Sequence, residues 1–388
     1  MTSLSVLSIF GTRPEAVKMA PIIKVLAETP GIESRVCVTA QHRQMLDQVL
    51  DLFQIIPDVD LDLMQPGQTL SDLTAAVFTH LDPVLERLKP DWVLVQGDTT
   101  TVMSAALLAY YHRIHVGHVE AGLRTGDKWQ PFPEEVNRRV ASVATDLHFA
   151  PTDWARDNLL KEGVPSSHIL VTGNPVIDAL HTVAELSPPT ETVELLERLG
   201  ITGDFSGAAP HTMGSRSKRL VLITAHRREN FGEPMENICF ALRQLAEDYL
   251  DNVEFVYPVH LNPNVQEPVN RLLGDVPNIT LLPPMDYFPW VHLIKSASLM
   301  LTDSGGLQEE APGLGVPVLV MREVTERPEG VKAGAVCLVG TDPEHIIVET
   351  HRLLDDPHAH AEMARAVNPY GDGKAAPRIV QALLDYRA

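Results

Sequence analysis

Three acidic residues have positions in the sequence that suit proton-transfer chemistry at the edge of an α/β sheet. Asp98 lies in QGDTTT at 96–101, Glu120 in HVEAG at 118–122 and Glu134 in PFPEE at 131–135. Asp98 and Glu120 each follow a short apolar run typical of a strand, and open parallel sheets bind ligands beyond the carboxyl ends of their strands. Carboxylates facing one cleft at that edge predict proton transfer to and from a substrate. Asp98 equally fits a helix N-cap, whereas Glu120, before a glycine-containing turn, has no such local explanation.

A second set of residues predicts a phosphate site. The sequence TDSGGLQEE at 302–310 has a strand end, then Ser304, Gly305 and Gly306, then a helical start. The glycines let backbone N–H groups approach an anion at the positive end of a helix that Ser304 can cap. Cationic side chains at two Arg-Pro-Glu turns would clamp a diphosphate, namely Arg13, Lys18 and Arg327. The alternatives are a plain cap with a glycine turn, and arginines that cap their own helix or pair with nearby glutamates.

A histidine also follows a predicted strand. His226 lies in TAHRREN at 224–230, directly after a strongly apolar run. It fits a neutral acid–base or phosphate-binding histidine, and the alternative is a buried histidine satisfied by the backbone. The other histidines lack ligand spacing and no carboxylate cage accompanies them, so we predict no metal. Neither GxGxxG after the first strand nor a P-loop occurs, so we predict no cofactor and disfavour redox or ATP-driven chemistry.

The charge balance limits the partners. The 388 residues include 31 Lys+Arg and 51 Asp+Glu, a formal net charge of −20. Such a surface repels nucleic acid and anionic lipid, so neither is a predicted partner, and an anionic ligand must be small and enclosed. No window approaches the roughly 18 apolar residues of a membrane span. Cysteines 37, 239 and 337 form no cluster, which predicts reduced thiols and a cytoplasmic location.

Short β-branched runs that alternate with helical patterns predict the elements that position these residues. In the first half the runs are 6–10, 36–40, 92–96, 115–119, 147–150 and 169–172. In the second half they are 220–224, 253–257, 279–282, 299–302, 317–321 and 335–339. The predicted fold class is therefore α/β, with two doubly wound, Rossmann-like parallel-sheet domains.

The domain boundary is predicted near residue 177. A helical stretch at 185–199 and a flexible loop at 203–218, rich in Gly, Ser and Ala, follow it. We expect a first domain over 1–177, a second over 178–367, and a last helix at 375–386, within 368–388, that crosses back onto the first domain.

Taken in order, these motifs closely resemble one family, the non-hydrolysing UDP-N-acetylglucosamine 2-epimerases of bacteria and archaea. The resemblance spans nearly the whole chain and rests on GTRPE (11–15), QGDTT (96–100), HVEAGLRT (118–125), PEEVNR (133–138), TAHRREN (224–230), DSGGLQEEAP (303–312) and TERPE (325–329). It implies a glycosyltransferase-B type fold with an interdomain cleft, a UDP-binding second domain, a homodimer and no redox cofactor. It also implies reversible C2 epimerisation of UDP-GlcNAc and UDP-ManNAc through elimination of UDP, which feeds polysaccharide biosynthesis.

The resemblance further implies roles for particular positions. The catalytic set is Asp98, Glu120, Glu134 and His226. The substrate-binding set is Arg13, Lys18, Met285, Trp290, Ser304, Gly305, Gly306, Glu310 and Arg327, with Glu310 on the ribose and Trp290 beside the uracil. Trp290 equally fits a core aromatic. An allosteric UDP-GlcNAc site is implied for Gln41, Gln44 and His260, although Gly67 stands where some members have an arginine.

Three alternatives are also compatible with the sequence. A hydrolysing epimerase would release free ManNAc and UDP, and a glycosyltransferase of the same fold would need an acceptor. A non-catalytic nucleotide-sugar sensor would keep the phosphate contacts but would not need Asp98, Glu120 and Glu134.

Overall fold

The structure, a computed structural model, describes residues 3–39, 43–65, 67–201 and 218–386, without the side chains of residues 43 and 44. Its strands are β1 Leu4–Phe10, β2 Ile32–Val38, β3 Val59–Asp60, β4 Trp92–Gln96, β5 His115–Val119, β6 Leu147–Ala150, β7 Ile169–Val171, β8 Arg219–Thr224, β9 Val253–Pro258, β10 Ile279–Leu282, β11 Leu299–Thr302, β12 Val318–Val320 and β13 Val336–Leu338.

Its helices are α1 Arg13–Glu28, α2 Arg43–Leu52, α3 Leu70–Leu88, α4 Thr100–Tyr111, α5 Glu134–Val143, α6 Asp153–Lys161, α7 Pro175–Ala184, α8 Thr190–Arg198, α9 Glu233–Asp248, α10 Pro263–Leu273, α11 Tyr287–Ser296, α12 Leu307–Gly313, α13 Pro328–Lys332, α14 Pro343–Asp355, α15 Pro357–Ala364 and α16 Ala375–Asp385. Two 3₁₀ turns lie at Ser166–His168 and Arg228–Asn230. No helix among the described residues has both the length and the apolar character needed to cross a membrane.

The described strands form two parallel sheets. The first has the order β3-β2-β1-β4-β5-β6-β7, and the second has the order β10-β9-β8-β11-β12-β13. The chain divides into two compact units, Met1–Ala179 with Tyr370–Ala388, and Leu180–Pro369. Each sheet belongs to one unit, and α16 belongs to the first. The division on the amino-terminal side therefore falls inside α7.

The predicted fold class is confirmed, because each of the twelve predicted runs overlaps a parallel strand. The sequence missed β3, a two-residue strand beside Cys37 and Val38 of β2, because two residues are too short to show a periodicity. The prediction of one helical stretch over 185–199 was wrong. Helix α8 covers only Thr190–Arg198, after Pro188 and Pro189 interrupt the chain. Of the expected loop at 203–218, residues 203–217 lie outside the described residues.

Helices cover both faces of the second sheet. Leu220 and Leu222 of β8 pack in one buried apolar cluster, and Val221 and Ile223 pack in another. Successive side chains of a strand point to opposite faces, so both faces of this strand are removed from water. Burial of each such side chain stabilises the unit by roughly 1.5–3 kcal/mol. This two-sided burial explains why the strands appear in the sequence as continuous apolar runs.

Two buried histidines occupy neighbouring strands of the first sheet. His118 of β5 is in register with His148 of β6, and both are almost fully buried. Burial lowers the pKa of His118 to about 3 and that of His148 to about 4. Both side chains are therefore neutral in the folded protein at pH values where an unfolded chain would protonate them.

We expect the free energy of unfolding to fall as the pH drops below about 6.5. The unfolded state then binds protons that these two histidines cannot bind when folded, at about 1.4 kcal/mol per pH unit for each. The variant His148→Gln should make this slope shallower by about that amount between pH 6 and 5, measured by urea unfolding. The exposed His80→Gln is the matched control. An unchanged slope in His148→Gln would show that His148 does not contribute to this pH dependence.

Candidate active site

Four of the predicted site residues lie at the carboxyl ends of the strands that flank the point where each sheet reverses its strand order. In the first sheet this point lies between β1 and β4, and in the second it lies between β8 and β11. Arg13 follows β1 and Asp98 follows β4, whereas His226 follows β8 and Ser304 follows β11. Open α/β sheets bind their ligands at this location. Each unit therefore presents one group of candidate residues.

The Glu120 carboxylate, directly after β5, is surrounded by donors. The Lys18 ammonium lies 2.7 Å from both of its oxygens. The Gln96 side-chain amide donates to Oε2, and the Asn174 side-chain amide donates to Oε1 at 3.0 Å. The Glu120 side chain is only 6% exposed. Since every named partner donates, the arrangement favours an ionised carboxylate at a fixed position.

The backbone of Glu120 adopts a left-handed conformation, with φ 61°. Non-glycine residues rarely adopt this region, and such a conformation costs of the order of 1–3 kcal/mol. Two residues later, Gly122 has φ 92°, and a Cβ there would lie 2.2 Å from the Ala155 carbonyl oxygen. The turn after β5 therefore requires glycine at 122, and the surrounding contacts hold Glu120 in place.

Asp98 is not a helix N-cap. Thr99 caps α4 instead, because its hydroxyl accepts from the backbone N–H of Val102 at 3.3 Å. The Asp98 carboxylate pairs with the guanidinium of Arg138 from α5, and the Asn137 amide donates to the Asp98 carbonyl at 3.0 Å. Asp98 is thus anchored to α5, and the N-cap alternative is excluded.

Glu134 is the first residue of α5, the helix that carries both partners of Asp98. Its Oε2 is buried, and no hydrogen-bond partner for this atom is found within the described residues. The next residue, Glu135, is fully buried and accepts from the backbone N–H groups of Thr125 and Gly126 at 3.2 and 3.3 Å. The loop before α5 is therefore fixed, and the structure brings Asp98, Glu120 and α5 with Glu134 to the same sheet edge.

The two cationic residues of α1 differ in their surroundings. Arg13 is the first helical residue after the N-cap Thr12, and no ion pair of its guanidinium is found in the part of the chain that the structure describes. Lys18 lies one turn further on and binds Glu120. Lys18, which the sequence predicts to clamp a diphosphate together with Arg13, therefore contacts a carboxylate in this structure.

His226 forms a cluster with two other side chains in the second unit. Its Nδ1 lies 3.4 Å from the carboxylate of Asp303, and its ring stacks on that of His260 with a centroid distance of 5.3 Å and an angle of 13°. Burial lowers the pKa of His226 below its ordinary value. Asp303 opposes this shift, and the charges of Arg227 and His260 add to it. His226 is therefore favoured in its neutral form.

The expectation that Ser304 caps a helix is wrong. Helix α12 begins at Leu307, its N-cap is Gly306, and no side chain caps it. Ser304 donates its backbone N–H to the Thr302 hydroxyl at 2.9 Å instead. A turn separates the end of β11 from the start of α12. Ser304, Gly305 and Gly306 lie in this short connection.

Arg327 lies against this connection. Its guanidinium pairs with Glu309 and, at 2.8 Å, with Glu326, which confirms the alternative of a nearby glutamate partner. Burial opposes ionisation of Glu326, but the charges of Arg327 and Arg322 hold its pKa below the usual value. A Cβ on Gly305 would lie 2.6 Å from Nη1 of Arg327, so a larger residue there would have to displace this guanidinium.

The residues expected to contact uridine lie on neighbouring elements of the second unit. Glu310 is in the first turn of α12, and Trp290 of α11 and Met285 pack, half-buried, against an apolar cluster of the core. Burial, and next the charge of Glu310, raise the pKa of the Tyr287 hydroxyl above its ordinary value. That hydroxyl is buried, and no partner for it is found among the described residues. The core position of Trp290 agrees with the alternative of a core aromatic.

The expected allosteric residues are described only in part. Gln41 and the side chain of Gln44 lie outside the described residues. His260 is described and stacks on His226. For metal ions, no group of three or more His, Cys, Asp or Glu side chains suited to binding one occurs in the described ranges.

Four residues without a predicted role hold the candidate catalytic side chains. Gln96 and Asn174 bind Glu120, Arg138 binds Asp98, and Asp303 contacts His226. Gln96 and Asp303 stand at strand ends, and this position could have identified them as site residues. Asn174 follows a strand within a Gly-Asn-Pro break, where the pattern predicts only a turn. Arg138 lies inside a helix, where no local pattern marks its partner.

Comparisons with known proteins identify the family of the chain. The family model described as UDP-N-acetylglucosamine 2-epimerase matches residues 24–384. A protein of that name from Salmonella typhimurium is 54% identical over 386 residues, covering 99% of each chain. The crystal structure of UDP-GlcNAc 2-epimerase from Neisseria meningitidis bound to UDP-GlcNAc is 48% identical, with a TM-score of 0.86 over 99% of this chain and 100% of that one.

A more distant solved structure shares the fold. The UDP-GlcNAc 2-epimerase from Methanocaldococcus jannaschii, in complex with UDP-GlcNAc and UDP, is 32% identical, with a TM-score of 0.76 over 98% of this chain and 99% of that one. Family model, sequence and fold thus agree over almost the whole length. The chain belongs to the UDP-N-acetylglucosamine 2-epimerase family.

Proposed function

We propose that this protein interconverts UDP-GlcNAc and UDP-ManNAc without net hydrolysis and is therefore an isomerase. The observation that carries the proposal is the family match over residues 24–384. The placement of Asp98, Glu120 and Glu134 at one sheet edge supports it, because a binding protein without turnover has no need for such carboxylates.

The sugar itself dictates the chemistry. The C2 hydrogen is not next to a carbonyl group, so its removal alone would leave an unstabilised carbanion. In the elimination, a base takes the C2 proton, the C2–H electron pair forms a C1–C2 double bond, and the C1–O pair leaves with UDP. The intermediate is 2-acetamidoglucal. Re-addition of UDP at C1, with proton delivery to the opposite face of C2, gives the epimer.

The residue roles are part of the proposal. Asp98, Glu120, Glu134 and His226 move protons, and Glu120 acts from a position held by Lys18. Negative charge grows on the leaving diphosphate, where Arg13, Lys18, Arg327 and the connection at 304–306 each stabilise it by about 3 kcal/mol. Glu310 binds ribose, and Met285 with Trp290 lines the uracil. The donors around Glu120 and the Arg327 guanidinium beside Gly305 support this assignment.

The proposal includes a cytoplasmic homodimer that uses UDP-GlcNAc as both substrate and activator. The exposed Tyr110, Tyr111 and Val143 offer apolar surface for a second copy, and sedimentation equilibrium tests the dimer.

His260 beside His226 supports an activator near the reaction centre. Buried reduced thiols at Cys37 and Cys239 support the reducing compartment.

Epimerisation in heavy water should place deuterium at C2 of the product, because the proton that returns comes from a group that exchanges with solvent. The measurement is mass spectrometry and proton NMR of UDP-ManNAc formed from unlabelled UDP-GlcNAc. Product without deuterium would contradict solvent exchange at C2. Accumulation of free ManNAc and UDP in equal amounts would indicate the hydrolysing reaction, and a requirement for an acceptor would indicate a glycosyltransferase.

The variants Asp98→Asn and Glu120→Gln should each lower kcat by about 10²–10⁴-fold, because each removes a group that transfers a proton. Affinity for UDP, measured by calorimetry, should change by less than about threefold, below 1 kcal/mol. The matched control is Asp146→Asn, a carboxylate at the opposite, amino-terminal edge of the same sheet, which accepts from Val116 N at 2.8 Å. Near-native kcat in both variants would exclude these residues as acid or base.

The variant Gly305→Ala should weaken UDP binding by about tenfold, or 1.4 kcal/mol. The new methyl group would displace the Arg327 guanidinium and the Glu326 carboxylate, which lie 2.6 and 2.7 Å from its position. In Gly306→Ala the new Cβ meets Glu310 Oε1 at 3.4 Å, an ordinary contact, so the loss should be smaller. Equal affinities of the two variants in calorimetric titrations would show that Arg327 does not bind the diphosphate from this position.

A further inference from the structure

Asp303, at the end of β11, shapes the loop that carries His226. It is fully buried, and its Oδ2 accepts three hydrogen bonds. The donors are the backbone N–H groups of His226 at 2.8 Å and Arg227 at 2.7 Å, and the side-chain amide of Asn230 at 3.0 Å. One carboxylate oxygen therefore holds three groups of this loop at the end of the sheet.

The second oxygen of Asp303 has a different environment. Oδ1 is buried, and no hydrogen bond to it is found among the described residues. The same Oδ1 lies 3.4 Å from Nδ1 of His226. A buried, charged oxygen without a donor is costly, so a proton on Nδ1 directed at Oδ1 is the arrangement that satisfies it. An asparagine could hold the loop equally well, so the charge on the second oxygen needs another explanation.

The other groups around the ring limit what His226 can do. His260 stacks on one ring face, Arg227 is adjacent in sequence, and Asp303 faces Nδ1. The backbone N–H of Asn262 donates to Nδ1 of His260 at 3.1 Å, so neutral His260 carries its proton on Nε2. His226 keeps 35% of its side chain exposed, whereas Asp303 keeps none. The nitrogen free to exchange a proton with a bound molecule is therefore Nε2 of His226.

We propose that Asp303 is a positioning residue, which fixes the proton of His226 on Nδ1 so that Nε2 faces the substrate as the proton-exchanging atom. The inference rests on the proposed function, because it assumes that His226 takes part in the reaction. When Nε2 accepts a proton, the imidazolium is stabilised by the Asp303 carboxylate, and no proton passes to Asp303 itself. Release of that proton restores the neutral ring with the Nδ1 proton in place.

The decisive variant is Asp303→Asn. Three donors surround the position of Oδ2, so the amide oxygen must occupy it and the amide NH₂ must face His226. Nδ1 then has to accept, and the ring proton moves to Nε2. We expect kcat to fall by about 100-fold or more, with KM and the affinity for UDP changed by less than about threefold. The pH profile of kcat should also lose the limb that belongs to His226.

The control is Asn230→Ala, which removes a donor to Oδ2 and to the Met321 carbonyl but removes no contact of Oδ1 or of the His226 ring. It should lower the thermal stability and leave the proton of His226 on Nδ1. A kcat within threefold of the parent in Asp303→Asn would overturn the proposal, as would a shift of the His226 tautomer in Asn230→Ala.

The tautomer is measured directly in the unmodified protein by two-bond ¹H–¹⁵N NMR with ¹⁵N-labelled histidine, with His226→Gln identifying the signal. A proton on Nδ1 at neutral pH supports the proposal, and a proton on Nε2 overturns it, whether or not Asp303→Asn folds. This measurement does not depend on turnover. If the protein did not epimerise UDP-GlcNAc but His226 carried its proton on Nδ1, the proposed function would fail and the Asp303–His226 pair would remain.

Discussion

A carboxylate removed from water must be surrounded by donors, and the Glu120 carboxylate shows how this requirement organises the first unit. Three other elements supply donors to it: Lys18 from α1, Gln96 from the end of β4, and Asn174 from the loop before α7. A missing donor leaves part of a buried charge unsatisfied, which costs more than an ordinary hydrogen bond contributes. The left-handed backbone of Glu120 is therefore maintained by tertiary contacts and not by local preference.

The second unit applies the same requirement to Asp303. This residue follows β11, which lies beside β8 at the point where the strand order reverses, and three donors converge on one of its oxygens. The two units differ in what the carboxylate contacts. Glu120 binds a lysine ammonium, whereas Asp303 faces a histidine that burial keeps neutral. Glu120 therefore presents a charge that is already compensated, and Asp303 presents a charge that can stabilise a proton arriving on its partner.

The sequence predicts the parallel sheets because fully buried strands leave continuous apolar runs, and it predicts Asp98, Glu120 and His226 because each follows such a run. It does not predict the partners of these residues. Asn174 reaches Glu120 across the sheet edge, and Arg138 reaches Asp98 from a helix that begins 36 residues after Asp98 in sequence, since Glu134 is its first residue. The prediction that Ser304 caps a helix was wrong for a related reason. Its type suits a cap, but the length of the turn after β11 decides which residue begins α12.

The C-terminal segment, which returns to the first unit, also affects the Glu120 carboxylate. The backbone N–H of Asn174 donates to the Tyr370 carbonyl at 2.6 Å, and its Oδ1 accepts from the backbone N–H of Val176 at 3.2 Å. Asp178 accepts from the first backbone N–H groups of α16, those of Ala375 and Ala376, at 3.1 and 2.8 Å. The turn that carries Asn174 is thus held by the last segment of the chain. Because Asn174 orients Glu120, the C-terminal helix supports the candidate active site, even though none of its own side chains belongs to it.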